Sequence, residues 1–109
     1  MITVVVGLDS SENLVFAEAS GHAGMGKRGT DIVCGAVTIL LRTTMTALAG
    51  SGPAIEATTA GRGSLSFRVT AFSEGDKPFL RYAARFLREG LESLEREYPE
   101  AVALSFVSA

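Results

Sequence analysis

The segment from residue 31 to residue 49 constrains the fold most, because nearly all its residues are apolar or small. Thr30 or Asp31 is predicted to cap a helix here, since short polar side chains bind the free N–H groups of a first turn. The helix is predicted to end near Ala49, because Gly50–Pro53 is a stop signal. A helix that is apolar nearly all round is buried on several sides. We expect a second subunit to supply part of that cover.

Five segments read as β-strands from their enrichment in β-branched and alternating apolar residues. Polar turn residues separate the first two, which predicts a hairpin. The third and fourth are joined by the tight-turn residues Gly61–Gly63. The five segments are Ile2–Leu8, Leu14–Ser20, Ala54–Ala60, Ser64–Phe72 and Ala101–Val107.

A second helix is predicted between Pro78, which suits a first helical turn, and Pro99, which limits it. Its arginines alternate with glutamates, which indicates a solvated face rather than a phosphate-binding patch. The opposite, apolar face is predicted to be buried. The apolar set of this helix is Phe79, Ala83, Phe86, Leu87, Leu91, Leu94 and Tyr98. In the first helix the corresponding stripe is Val33, Val37, Leu40, Thr44 and Leu48.

The predicted order of elements is therefore ββαββαβ. This order predicts an α+β fold, a two-layer sandwich in which a mostly antiparallel five-stranded sheet carries two helices on one face. We expect a single domain over residues 1–109. The two ββα units share a pattern but no convincing sequence identity, so a repeat is not inferred.

The composition excludes several functional classes. The formal net charge of −2, without a basic tract, argues against direct nucleic-acid binding and against an anionic membrane surface. No apolar run was expected to approach the roughly 20 residues that span a bilayer, and the basic region of a signal peptide is missing. A single cysteine cannot form an internal disulfide. A reducing cytoplasm is therefore the expected location.

The only histidine, His22, and the only cysteine, Cys34, are twelve positions apart and flank a glycine-rich segment. A thiolate attacks carbonyl carbon, and a histidine can take the thiol proton and later protonate the leaving amine. If Asp31 capped the helix, Cys34 would be its third residue, where unpaired N–H groups and the helix dipole favour a thiolate and can bind an oxyanion. The pair is therefore a candidate nucleophile and base.

Between the pair lie Gly24, Gly26 and Gly29, preceded by Gly21. Glycine permits unusual backbone angles, so this segment can serve as a substrate-gating loop. A plain connector explains the same residues.

The supporting residues also have alternative interpretations. Asp31 can cap the helix, orient His22 or only solvate the loop, and a carboxylate facing the sulfur would oppose thiolate formation. Thr38 lies one turn beyond Cys34, where its hydroxyl can bond the sulfur, a substrate group or its own helix. By composition alone, Cys34 reads more often as a small buried apolar residue. A structural zinc site would lack a ligand, so no metal is expected.

The motif Gly-His-Ala-x-x-Gly-x-x-Gly-x-Asp-Ile-Val-Cys, followed by Gly-Ala-Val-Thr, resembles the signature of the ribosomal-processing cysteine protease family, called Prp. The resemblance implies a homodimeric cytoplasmic endopeptidase that needs no cofactor. Its family substrate is the N-terminal extension of bacterial large-subunit ribosomal protein number twenty-seven, which is cut after an aromatic residue. Phe67, Phe72 and Phe79 can line the substrate groove, although an aromatic core is the preferred role for each.

The resemblance places His22 on the family's histidine, Cys34 on its nucleophile and Asp31 on its supporting acid. Thr38 stands where the family usually has serine, and Gly35 where alanine is more usual. Two rival functions fit the residues without catalysis. One is a dimeric interaction domain that uses the apolar surface of the first helix, and the other is a thiol redox sensor that uses Cys34.

Overall fold

The chain folds into one five-stranded sheet and two long helices. The computed structural model describes residues 1–21, 28–58 and 64–109, and for residues 28–31 the backbone alone. The predicted turn Gly61–Gly63 lies outside the described residues. The strands are β1 (Ile2–Leu8), β2 (Leu14–Ser20), β3 (Ala54–Thr58), β4 (Ser64–Ala71) and β5 (Val102–Ser108). The helices are α1 (Arg28–Ala49) and α2 (Lys77–Glu97), which confirms the predicted ββαββαβ order.

The strands are arranged in the order β3-β4-β2-β1-β5. Three neighbouring pairs, β1–β2, β2–β4 and β3–β4, are antiparallel. The final strand β5 is parallel to β1, with Ile2 opposite Val102 at one end and Leu8 opposite Ser108 at the other. The sheet is therefore mixed but mostly antiparallel, as the alternation of the segments predicted.

One face of the sheet carries both helices, because the strands alternate between buried and exposed residues. Val4 and Val6 of β1 are fully buried and pair with Ala19 and Ala17 of β2 on this face. Both helices contribute buried residues to the same hydrophobic core. The opposite face is wet at Thr3 and Glu18.

Helix α1 buries one stripe against the sheet and leaves another stripe in solvent. The buried residues are Val33, Val37, Leu41, Thr44 and Leu48. Leu40, predicted in that stripe, faces α2 instead, where its methyl groups lie against Gly90. Ile32 and Ile39 are 62% and 56% exposed. The expectation of burial on several sides is therefore not met within one copy of the chain.

The apolar length of α1 also corrects an expectation. The 18 residues Ile32–Ala49 are long and apolar enough, by length and composition, to cross a bilayer. Val33, Val37 and Leu41 of this stretch pack into the core beneath the sheet. A core helix of a globular domain has this same composition, so the finding carries no membrane assignment.

Helix α2 starts near Pro78 as predicted, but its buried face is rotated relative to the prediction. Leu80, Ala84, Leu87 and Leu91 are the buried residues. Phe79 and Phe86 are 51% and 48% exposed, so their predicted burial is wrong. The predicted burial of Leu87 and Leu91 is confirmed, whereas Leu80 and Ala84 occupy the buried positions predicted for the two aromatic rings.

The turn between β1 and β2 is organised by Asp9. Its carboxylate accepts hydrogen bonds from the backbone N–H groups of Ser11 and Asn13, both at 2.9 Å, and from the Asn13 side-chain amide at 3.0 Å. Burial raises the pKa of Asp9, but these hydrogen bonds and the nearby Lys77 outweigh it, so the net effect is a lowered pKa. The turn therefore holds a carboxylate in its ionised form.

Candidate functional site

A cavity of about 340 Å³ lies between α1 and the sheet, and Cys34 is part of its wall. It opens where β1, β2, β3 and β4 meet one face of α1. Apolar side chains form most of the surface, with hydroxyl groups and one guanidinium among them. The lining residues are Ile2, Ala19, Ser20, Gly21, Cys34, Val37, Thr38, Arg42, Met45, Ala57, Ser64 and Leu65.

Cys34 is half-buried, has a free thiol and packs against the hydrophobic core. Helix α1 begins at Arg28, so the predicted cap at Thr30 or Asp31 is wrong. Both residues lie inside the helix, and Cys34 is in its second turn rather than its first. The favourable field of a helix N-terminus falls off within the first turn. Activation of the thiol therefore needs another group, and a histidine base can serve.

Thr38 lies one turn after Cys34 and lines the same cavity. Its hydroxyl donates a 2.8 Å hydrogen bond to the backbone carbonyl oxygen of Cys34. Of the three possibilities raised by the sequence, the structure therefore shows the bond to its own helix. The oxygen of Thr38 still has acceptor capacity toward the cavity.

Gly21 directly follows the last residue of β2 and lies in the wall of this cavity. Its φ of +104° lies in the left-handed region, and a Cβ there would come within 2.5 Å of the carbonyl oxygen of Met1. Only glycine meets both conditions without strain. The next residue in the chain is His22, so Gly21 sets the point and direction at which the chain leaves the sheet toward it.

His22 itself lies outside the described residues, as do Gly24 and Gly26. Its approach to Cys34 therefore stays a prediction. Gly29 belongs to the backbone of α1, which shortens the predicted gating loop at that end. Asp31 is likewise in α1, and the orientation of its carboxylate toward His22 stays a prediction.

Arg42 is a cavity residue that the sequence reading did not single out. Its position follows from helix geometry, since Cys34, Thr38 and Arg42 are spaced by four residues and share one side of α1. None of the three phenylalanines that were weighed as groove residues lines the cavity. Phe67 is buried in the core, whereas Phe72 is 43% exposed and Phe79 lies on the outer side of α2.

Comparison with known proteins bears on the whole chain. The ribosomal processing protease Prp from S. aureus, in complex with a substrate peptide, superposes with a TM-score of 0.80 and 21% identity, covering 97% of this chain and 99% of that one. The same protease with a covalently linked product peptide gives a TM-score of 0.79 at 22% identity over 97% and 99% of the chains. SMU.848 from Streptococcus mutans gives 0.80 at 22% identity, covering 100% and 96%.

These likenesses establish the fold. Comparison with curated protein sequences gave no significant match. The sequence model of the family "Cysteine protease Prp" matches residues 1–103, which is nearly the full length. The chain therefore belongs to the cysteine protease Prp family.

Proposed function

We propose that this protein removes a short N-terminal extension from bacterial large-subunit ribosomal protein number twenty-seven. One observation carries the proposal. The single thiol, Cys34, opens into a cavity whose wall includes Gly21, the residue that directs the chain into His22. Membership of the cysteine protease family and the likeness to a peptide-bound ribosomal processing protease support the substrate class.

In the proposed reaction His22 takes the proton of the Cys34 thiol as the sulfur attacks the scissile carbonyl carbon. The tetrahedral intermediate collapses when His22 returns that proton to the leaving amine and the C–N bond breaks. This leaves a thioester on Cys34. A water molecule, deprotonated by His22, then attacks the thioester, releases the new carboxyl terminus and regenerates the thiol. Asp31 is proposed to orient the imidazole.

A mass-spectrometric cleavage assay tests this function. The substrate is the ribosomal protein carrying its extension, and the variants are Cys34→Ala, His22→Ala and Cys34→Ser. We expect the wild-type chain to cut the substrate once, directly after an aromatic residue. The two Ala variants are expected to lose at least about 1,000-fold in kcat/KM, because each removes a member of a catalytic unit. Cleavage by Cys34→Ala at the wild-type rate would rule the assignment out.

A homodimer is proposed to form through the outer helical face, which we define as Ile32, Ile39, Phe79, Tyr82 and Phe86. These five apolar residues are between 48% and 70% exposed in one copy. An apolar groove of about 260 Å³ runs between the C-terminal half of α1 and the first turns of α2 and includes three of them. Large apolar side chains left exposed in this number mark an interaction site.

The oligomeric state is measured by size-exclusion chromatography with light scattering. Ile39→Glu and Phe86→Glu are expected to shift a dimer toward monomer, because each would bury an unpaired charge at the interface. Phe72→Glu is the matched control, since Phe72 is 43% exposed but outside the outer helical face. Dissociation by the control, or none by the other two, would contradict this interface. A cytoplasmic location is proposed because Cys34 must remain reduced to act.

A further inference from the structure

We infer that Arg42 is a specificity residue that binds a carboxylate of the substrate peptide, three or four residues from the scissile bond. This inference rests on the proposed protease function of Cys34. Arg42 lines the same cavity as Cys34 and Thr38, and it is the one cationic residue among the described residues of that wall.

The described residues provide no carboxylate partner for the charge of Arg42 in this cavity. None of the described residues lining the cavity is acidic. In the described part of the chain, ion pairs join Lys77 to Glu74 and Arg88 to Glu92, and neither involves Arg42. The side chain is exposed, so its guanidinium lies at the rim rather than in the depth of the cavity. A planar guanidinium presents paired donors that match the two oxygens of a carboxylate.

The distance from the nucleophile defines the substrate position. Arg42 is eight residues after Cys34 in a continuous helix, which corresponds to about 12 Å along the helix axis. An extended peptide advances about 3.4 Å per residue. A peptide whose scissile carbonyl lies at Cys34 and whose chain follows α1 therefore brings its third or fourth residue, counted from the cut, to Arg42.

The rest of the cavity wall confines the preference for an acidic substrate residue to one position. The remaining described wall residues are uncharged and, through Ile2, Leu65 and Met45, mostly apolar, so substrate side chains are selected there by burial rather than by charge. A lysine or arginine of the substrate facing Arg42 would meet a like charge with no carboxylate among the described lining residues to offset it. Acidic residues are thus favoured and basic residues rejected at a single position.

The test measures kcat/KM for a panel of peptides derived from the hydrophobic extension. Each peptide carries one glutamate, moved from four residues before the scissile bond to four residues after it, with a glutamine peptide as its pair. We expect the wild-type chain to prefer glutamate about three- to tenfold at one or two positions three or four residues from the cut. The preference is expected to shrink in 0.5 M salt, because the pair is partly exposed.

Three variants decide the role of Arg42. Arg42→Gln is expected to abolish the glutamate preference, measured as the ratio of kcat/KM within each glutamate–glutamine pair, whatever its effect on the absolute rates. Arg42→Glu is expected to reverse it, so that the glutamine peptide of each affected pair is cut faster than the glutamate peptide. Arg81→Gln is the matched control, since it removes the same charge from an exposed arginine of α2 outside this cavity, and it is expected to keep the preference. A glutamate preference that survives in Arg42→Gln, or that is missing at every position in the wild type, would overturn the inference.

A failure of the proposed protease function can be distinguished from a failure of the role proposed for Arg42. In that case no peptide is cut in a manner that depends on Cys34. The same fluorescent peptides are then titrated into Cys34→Ala by anisotropy, with and without Arg42→Gln. If the glutamate peptides bind more tightly than the glutamine peptides, and this difference depends on Arg42, the carboxylate site is supported although the protease function has failed. If there is no such difference, the carboxylate site is overturned as well.

Discussion

The hydroxyl of Thr38 donates its hydrogen to the carbonyl oxygen of Cys34 at 2.8 Å and not to the thiol. Thr44 makes the same bond to Leu40, also at 2.8 Å, and lines the apolar groove between α1 and α2 instead of the cavity around Cys34. Because the i−4 carbonyl also bonds within the helix, loss of either hydroxyl is expected to change the free energy of unfolding by no more than about 1 kcal/mol.

Thr38→Val is therefore expected to lower kcat/KM by less than about threefold, with Thr44→Val as the control for helix stability. Urea unfolding and peptide cleavage are measured on both variants. A loss of tenfold or more in Thr38→Val alone would mean that the hydroxyl contacts the substrate or the sulfur during the reaction.

Gly35, the neighbour of Cys34, is expected to be a site of easy stabilisation. A Cβ built there meets no atom of the described residues within 4 Å, and glycine inside a helix costs about 0.5–1 kcal/mol relative to alanine. Gly35→Ala should raise the melting temperature by about 4 °C. Gly90→Ala is the comparison, because its Cβ would lie 3.1 Å from both methyl carbons of Leu40. An equal gain in the two variants would contradict this view of the packing between helices.

Gly21→Ala is expected to damage both stability and catalysis. Its φ of +104° and the nearby carbonyl oxygen of Met1 leave no room for a Cβ, which predicts a loss of roughly 1–3 kcal/mol in the free energy of unfolding. The backbone shift that relieves the clash would also redirect the chain entering His22.

Gly52→Ala is the matched control for this substitution. Its φ is +130°, and an added Cβ would collide with the carboxylate of Asp76. We expect a comparable loss in melting temperature but nearly full cleavage activity below that temperature. Equal activity losses in the two variants would show that Gly21 matters only for stability.

The carboxylate of Asp9 predicts a specific acid sensitivity. Its pKa in the folded state lies below the ordinary value of 3.8, so its ionised form favours the folded state. That contribution is complete above about pH 4–5 and is lost as the pH falls through the folded-state pKa. The melting-temperature difference between wild type and Asp9→Asn should therefore narrow between pH 6 and pH 2.5.

Local patterns in the sequence predicted the elements well where one residue type dominates. The alternation in Ile2–Leu8 and Leu14–Ser20 predicted β1 and β2 with their observed bounds. Pro78 marked the start of α2, since proline fits a first turn. The parallel pairing of β5 with β1 has no local signal, because register between distant strands depends on how the whole sheet is assembled.

The errors arose where two physical preferences compete. Thr30 and Asp31 favour a helix cap, yet the helix continues back to Arg28. On α2, Phe79 and Phe86 compete with Leu80 and Ala84 for the buried face, and helical spacing alone fits both pairs. In the candidate site, the sequence motif marks Cys34 and Thr38 but not Arg42. No local signal marks Arg42, because the cavity that it lines is formed by α1 together with strands that are distant in sequence.

The parallel pair β1–β5 also sets the order in which the molecule can be completed. The first strand acquires its second neighbour only when Val102–Ser108, the last strand in the chain, is in place. Contacts between such distant residues form slowly, since a long loop must close before they are gained. Ile2 belongs both to this strand pair and to the wall around Cys34. The cleft around Cys34 is therefore incomplete until Val102–Ser108 has paired with β1, so proteolytic activity is expected to appear only after this strand has docked.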